Sequence, residues 1–328
     1  MPARVSRSTR PSPASRSLRT QHFLSILDLT PGELADVLAA AQQLKKDRVR
    51  GARGFGATAL AGQHVALLFE KPSLRTRCTF EIAVRELGGD VIAPPQDVAM
   101  GEREPIADVA RNLERWVSGV VIRTFAQERL VEFAAAAPRV HVVNALTDEE
   151  HPCQALADLL TLQEQLGTLK GQTVAFIGDG NNVATSLAQG ALMLGMHVHL
   201  AAPDGYEFRP EIEDQLRSLA RHDAALTTYR DPVKAVDGVA AVYTDAWTSM
   251  GQEAEAQHRR KVFAPYQVNE ALMAAAGDAV FMHCLPAHRG EEATDAVMDG
   301  PSSIIFDQAE NRLHAQKALL MLLMGGTQ

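Results

Sequence analysis

Val65-Ala-Leu-Leu-Phe69 is followed by Glu70-Lys-Pro-Ser73 and then by Arg75–Leu87, in which Phe80, Ala83, Val84 and Leu87 recur at helical spacing before Gly88-Gly89. A short unbroken apolar run reads as a buried strand, and the 3,4 spacing closed by glycines reads as an amphipathic helix. A strand that enters a helix through a polar turn is half of a crossover unit. Parallel strands need such crossovers, so this stretch predicts an α/β sheet.

The alternation continues outward. Gly119-Val-Val-Ile-Arg-Thr124 and Val140–Ala145 read as strands with a helix through Ala137 between them, and Pro152–Leu166 reads as a helix. A second series starts at Val174-Ala-Phe-Ile177, passes a glycine-rich turn and a helix to Leu194, and continues with strands at His197–Ala201, Val239–Thr244, Ala279–His283 and Ser303–Phe306. Two series predict two α/β domains, each a mainly parallel sheet flanked by helices, joined near the Pro152 helix. Residues 1–20 stand apart: they hold five Arg with several Ser and Pro, and the first acid is Asp28. They read as a solvated, disordered basic tail.

Composition narrows the function classes. A chain of 328 residues suggests about two domains, and 46% apolar residues exclude global disorder. With Lys+Arg at 32 against Asp+Glu at 40, the net charge of -8 argues against nucleic-acid binding through a general basic surface. Apolar runs fall short of the roughly 18 residues of a membrane span, so no membrane partner is expected. Three cysteines and no C-x-x-C pair suit a reducing compartment, and the cytoplasm is the expected location.

Ligands of open α/β sheets bind beyond the carboxyl ends of the strands, and reactive residues recur there. Ser73 can cap the helix after Phe69, leaving N–H groups free for an anion, with Arg75 and Arg77 adding charge. Arg123 ends an apolar strand, where it would hold a ligand or pair with a structural carboxylate. His151-Pro-Cys-Gln154 opens a helix and could hydrogen-bond a carbonyl group, or be a plain helix start. Gly178-Asp-Gly-Asn-Asn182 is a G-x-G turn whose third glycine position is Val183; with Asp204 beyond the next strand, a dinucleotide site stays as an alternative to amides aimed at a small polar ligand. Asp245 sits at a strand end and could bind an ammonium. Cys284, beside His283 and near His288, could be a nucleophile, a metal ligand or an inert wall. Arg312 lies near the start of an apolar helix.

In order and spacing, these segments resemble the aspartate/ornithine carbamoyltransferase family, and within it the ornithine branch. The resemblance runs from about His22-Phe-Leu to Gln316-Lys-Ala. Phe69-Glu-Lys-Pro-Ser-Leu-Arg-Thr-Arg77 is similar to the family's carbamoyl-phosphate motif and His151-Pro-Cys-Gln154 to its second shared motif; Asp245-x-x-x-Ser249-Met-Gly251 and His283-Cys-Leu-Pro286 mark the ornithine branch. The resemblance implies that Ser73, Leu74, Arg75 and Thr76 bind phosphate, that Arg123, His151, Gln154 and Arg312 hold the carbamoyl end, and that Asn182, Asp245, Ser249, Met250, Cys284 and Leu285 serve ornithine. Arg123, His151 and Cys284 are the expected catalytic residues. It implies a carbamoyl-phosphate domain over 21–150, completed by a C-terminal helix crossing back over 311–328, and an ornithine domain over 151–310. It also implies a homotrimer or multiple of trimers, with no metal and no organic cofactor. Two positions depart from the pattern: Ala99 stands where many relatives carry Gln or His, and Leu74 replaces a common Thr.

The implied reaction joins the δ-amine of L-ornithine to the carbamoyl group of carbamoyl phosphate, giving L-citrulline and phosphate, forward in arginine synthesis or backward in its breakdown. Carbamoyl transfer to putrescine or an acetylated ornithine is one alternative, and a regulatory binder without turnover is another. Gln252–Tyr266, polar and charge-rich, is expected to be a mobile lid over ornithine.

Overall fold

The computed structural model describes residues 17–49, 56–95, 100, 103–248 and 253–325. The elements of the first lobe are α1 (Pro31–Val49), β1 (His64–Phe69), α2 (Leu74–Glu86), β2 (Asp90–Ile92), α3 (Ile106–Leu113), β3 (Gly119–Arg123), α4 (Gln127–Ala136), β4 (His141–Leu146) and α5 (Pro152–Leu166). The second series is β5 (Thr173–Ile177), α6 (Asn182–Met193), β6 (His197–Ala201), α7 (Pro210–Leu219), β7 (Leu226–Tyr229), α8 (Pro232–Ala235), β8 (Ala241–Thr244), α9 (Ala256–Phe263), α10 (Glu270–Ala275), β9 (Val280–His283), α11 (Asp295–Met298) and α12 (Ile305–Met324).

The strands form two parallel sheets, ordered β2-β1-β3-β4 and β7-β6-β5-β8-β9. The order reverses between β1 and β3 in the first sheet and between β5 and β8 in the second. At such a reversal the following helices leave on opposite faces and open a crevice at the strands' carboxyl ends. Ser73–Arg75 follow β1, Arg123 ends β3, Gly178–Asn182 follow β5 and Asp245 follows β8, so both crevices carry residues singled out from the sequence.

Helices α1, α5, α6 and α12 pack between the sheets in one continuous apolar core. Helix α12 crosses back to pack on α1, α2 and α5. It is buried almost all round from Asn311 to Met324, the pattern of a helix enclosed on every side rather than on one face. Separate apolar clusters cover the outer faces, under α3 and α4 for the first sheet and under α8, α10 and α11 for the second. Among the described residues no helix is long and apolar enough to cross a membrane.

Several expectations need correction. Ser303–Phe306 is not a strand: Ser303 makes a single parallel bridge to Phe281, and α12 begins at Ile305. The apolar Ile304-Ile305 pair is a helix start packed into the core, which periodicity over four residues does not distinguish from a strand. Residues 17–20 are also not tail. The Leu18 side chain is buried, its N–H donates to Leu322 O at 3.0 Å, and Arg19 pairs with Glu33. Residues 1–16 lie outside the described residues. Strands β2 and β7 escaped the sequence reading because both are short edge strands with partly exposed faces.

Candidate active site

A cleft of about 930 Å³ opens between the two sheets' carboxyl edges. One wall is cationic. Ser73 caps α2, accepting the Thr76 N–H at 3.4 Å and donating to Thr76 Oγ1 at 2.9 Å. Arg75, Arg123 and Arg312 all line the cleft, and among the described residues none of the three has a carboxylate partner. Burial, and then the charge of Arg312, pulls the Arg123 guanidinium down to about 10. Burial lowers Arg312 and Arg75 as well. The Nε atoms of Arg123 and Arg312 are buried without a hydrogen-bond partner. Buried like charges left unpaired are costly, and an anion in the cleft removes that cost. Arg77 turns away toward Glu81 on its own helix.

His151 sits at the mouth of α5, its N–H donating to Ser186 Oγ at 2.9 Å. Burial, followed by the charges of Arg312 and Arg123, drives its pKa well below the usual histidine value. The ring is therefore neutral near pH 7, and its buried Nδ1 has no partner. Two further expected members are buried within this wall. Thr76 is fully buried and takes a short hydrogen bond from Arg312. Gln154 is buried, donating its amide to Asp158 Oδ1 at 2.8 Å.

The facing wall comes from the second sheet. The Cys284 thiol donates to Asp245 Oδ1 at 2.9 Å, the Ala246 N–H donates to the same oxygen at 2.7 Å, and Asn181 Nδ2 donates to Oδ2 at 2.9 Å. Burial, then the Asp245 charge, pushes the Cys284 thiol well up. It is held as a thiol, and the nucleophilic alternative fails on that ground, since the thiolate is the attacking form. Leu285 has φ 57, a left-handed conformation uncommon for a branched side chain, and its N–H donates to His283 Nδ1 at 2.9 Å. Asp245, His283 and Cys284 lie close enough to share a metal ion, but His283 spends its other nitrogen on Glu292 and Asp245 is engaged as above. Asn182 lines the cleft while donating to Thr147 O at 2.6 Å. Ser249 and Met250, like Ala99, lie outside the described residues.

The glycine-rich turn is not built for a dinucleotide. The Asn181 side chain already accepts the first N–H groups of α6, from Val183 at 3.0 Å and Ala184 at 3.1 Å, where a pyrophosphate would sit. Asp204 pairs with Arg230. A Cβ on Gly180 would lie 2.6 Å from Phe208 N and 2.8 Å from the Glu207 carbonyl carbon, so this glycine serves chain packing. Gly180→Ala is expected to displace the turn, raising the dissociation constant of a small ligand at the Asp245–Cys284 wall by roughly tenfold and leaving that of phosphate at the cationic wall within about twofold. Equal shifts in both constants would contradict this.

Some members of the cleft were not singled out from the sequence. Lys71, nearly buried, pairs with Asp148 at 2.5 Å and lies 4.4 Å above the Phe125 ring. Asp179 is joined to Arg259 of α9, whose guanidinium stacks on Tyr206 and Phe263 and also donates to Trp247 O. The expected mobile lid is thus, over its described part, a helix clamped by a buried arginine. Lys71 and Asp179 stand inside motifs already quoted; Arg259 carries no local signal.

Two family models match end to end. Residues 21–164 match the aspartate/ornithine carbamoyltransferase carbamoyl-P binding domain, and residues 170–323 match the Asp/Orn binding domain. An ornithine carbamoyltransferase of Symbiobacterium thermophilum is 49% identical over 94% of the chain and 99% of its own length. One from Gloeobacter violaceus is 50% identical over 93% and 96%. The solved ornithine carbamoyltransferase of Pyrococcus furiosus superposes with a TM-score of 0.90 at 45% identity, covering 95% of this chain and 99% of its own. With both domain models matched in order on the two sheets that form the cleft, the chain belongs to the aspartate/ornithine carbamoyltransferase family.

Proposed function

We propose that the chain transfers the carbamoyl group of carbamoyl phosphate to the δ-amine of L-ornithine, releasing L-citrulline and phosphate. The observation that carries this reading is the cationic trio Arg75, Arg123 and Arg312, without carboxylate partners among the described residues, facing the Cys284–Asp245 pair across one cleft. The capped start of α2 and the trio receive the phosphate. Ser73, the Leu74 backbone, Arg75 and Thr76 hold its oxygens. Arg123 and neutral His151 donate to the carbamoyl oxygen, with Thr76 and Arg312 behind them, and Gln154 meets the carbamoyl nitrogen.

Attack by the δ-nitrogen forms a C–N bond and moves the carbonyl electrons onto oxygen. The tetrahedral intermediate then expels phosphate with the C–O bonding pair. Fixed donors at the developing oxyanion are the largest expected contribution. An amine of this kind has a pKa of about 10.4 in water, so its proton must be removed. Nearby guanidinium charges disfavour the ammonium form, and the Cys284–Asp245 pair relays the proton: sulfur takes it while passing its own to the carboxylate. From there the departing phosphate receives it. Asn182, Asp245, Leu285, Ser249 and Met250 orient the amino acid.

Cys284→Ala is expected to lower turnover on the order of 10²-fold, within the range for a general acid–base group, and to weaken ornithine binding. Unchanged values for both would remove the thiol from the site. The functional reading itself is tested by mixing the protein with carbamoyl phosphate and ornithine, N-acetylornithine, putrescine or aspartate, and following phosphate and ureido product. Ornithine should dominate by orders of magnitude.

The same reading divides the chain into a carbamoyl-phosphate domain over 21–150 completed by 311–328, and an ornithine domain over 151–310. A homotrimer fits the exposed apolar side chains Leu74 and Ile82 on α2 and Ile92 on β2, and sedimentation at equilibrium tests it. Three free cysteines fit a reducing cytoplasm.

A further inference from the structure

Asp158 of α5 gathers three donors, one from its own helix and two from α12 and β8. Gln154 Nε2 donates to its Oδ1 at 2.8 Å, Gln308 Nε2 donates to the same oxygen at 2.7 Å, and the Tyr243 hydroxyl donates to Oδ2 at 3.2 Å. All four side chains are buried. A carboxyl oxygen shared by two amides can only accept, so each glutamine must turn its NH2 toward Asp158 and its carbonyl away. For Gln308 the far end is used: its Oε1 accepts the His283 N–H at 2.9 Å, fixing the strand end that precedes Cys284. For Gln154 the far end is not used. Its Oε1 is buried without a partner, on the same helix face as His151 one turn earlier. An acceptor left open one turn from His151, which lines the cleft, calls for an N–H from a ligand.

We propose that Asp158 is a positioning residue for donor specificity: by holding the Gln154 NH2 it presents the Gln154 carbonyl as an acceptor for the amide nitrogen of the acyl donor, so that the cleft selects carbamoyl over other acyl phosphates. The inference rests on the functional reading above and names the group that enforces its donor class. Burial lifts the Asp158 carboxyl to about 7, yet Oδ1 remains an acceptor whether the proton on Oδ2 is present or absent. Asparagine can therefore replace it, with Oδ1 still accepting from both glutamines and Nδ2 donating to the Tyr243 oxygen. Leucine cannot.

The test uses two stable ligands that differ only as NH2 differs from CH3: phosphonoacetamide and 2-oxopropylphosphonate, with inorganic phosphate as reference. Dissociation constants are measured calorimetrically on wild type, Asp158→Leu and Asp158→Asn. Wild type is expected to prefer the amide by on the order of tenfold or more, because the methyl leaves a buried acceptor unpaired. Asp158→Leu should bring the two within about threefold while phosphate binding stays within twofold, and Asp158→Asn should keep the preference. The proposal is overturned if wild type shows no preference, if Asp158→Leu keeps it, or if phosphate affinity falls in parallel, as a merely structural role requires. Should the leucine variant fail to fold, loss of the preference in Asp158→Asn overturns it and retention supports it. Citrulline formation by wild type is scored separately. Amide preference without citrulline removes the functional reading alone, and citrulline without preference removes only this inference.

Discussion

Arg123→Met is expected to cut citrulline formation by on the order of 10²–10³-fold, the usual cost of one oxyanion donor, while leaving the protein as stable as wild type or more so. Both halves follow from one fact. The guanidinium is buried at the end of β3 beside Arg312 and Arg75, and no carboxylate among the described residues answers it. A base whose pKa falls from 12.5 to about 10 on folding costs the fold stability at every pH below about 10, and regains it only as the pH rises through that value. At neutral pH the full cost is present, on the order of a few kcal/mol. Methionine fills much of the same volume without charge. The ligand reverses the balance: a dianion bound to wild type supplies the missing partner and raises its melting temperature by mass action. The variant should gain much less from phosphate. Thermal melts with and without phosphate, run beside the citrulline assay, check both halves. A variant melting well below wild type would falsify the view of Arg123 as an unpaired charge kept for the ligand.

The α/β class and most strands were legible because parallel strands buried on both faces are unbroken apolar runs, and Arg123 was conspicuous because it interrupts one. Ser73 was legible as a cap, since capping is local chemistry. What failed was whatever depends on which side chain turns inward. Periodicity does not tell the Ile304–Ile305 helix start from a strand. Asn181 and Asn182 are adjacent, and only the φ of the cap decides that Asn181, not Asn182, bonds Asp245. Thr76 and Gln154 are buried with Arg312 and Asp158 as partners, which their own stretches do not announce. Arg259 reads as one more charge on a polar helix, yet it is buried against Asp179. The Thr76 and Arg259 contacts join segments 80 or more residues apart, the Gln154–Asp158 contact lies within α5, and the two asparagines are a choice between neighbours with the same propensity.

Asp245→Asn should have an effect of similar size through a different route. Asp245 receives three donors: the thiol of Cys284 and the N–H of Ala246 on Oδ1, and the amide of Asn181 on Oδ2. In the asparagine variant one oxygen still serves the first two, but an NH2 then faces the NH2 of Asn181. Asn181 cannot turn over without surrendering its carbonyl oxygen, which caps α6 through Val183 and Ala184, at a cost of about 1 kcal/mol. Either the cap or the Cys284 wall is lost, and with the carboxylate goes the acceptor of the relay. Turnover should fall by roughly 10²–10⁴-fold and the ornithine KM should rise. Binding of phosphonoacetamide, which belongs to the opposite wall, should hold within twofold. The paired exchange Asn181→Asp with Asp245→Asn separates geometry from charge. It restores every donor to an acceptor, since the aspartate at 181 caps α6 with one oxygen and takes the new amide on the other, but it moves the negative charge off the thiol. Recovery of the ornithine KM with turnover still low identifies Asp245 as the acceptor that holds the proton before phosphate takes it. Recovery of both would leave it as an anchor alone, and Cys284 would have to pass the proton directly to the departing phosphate.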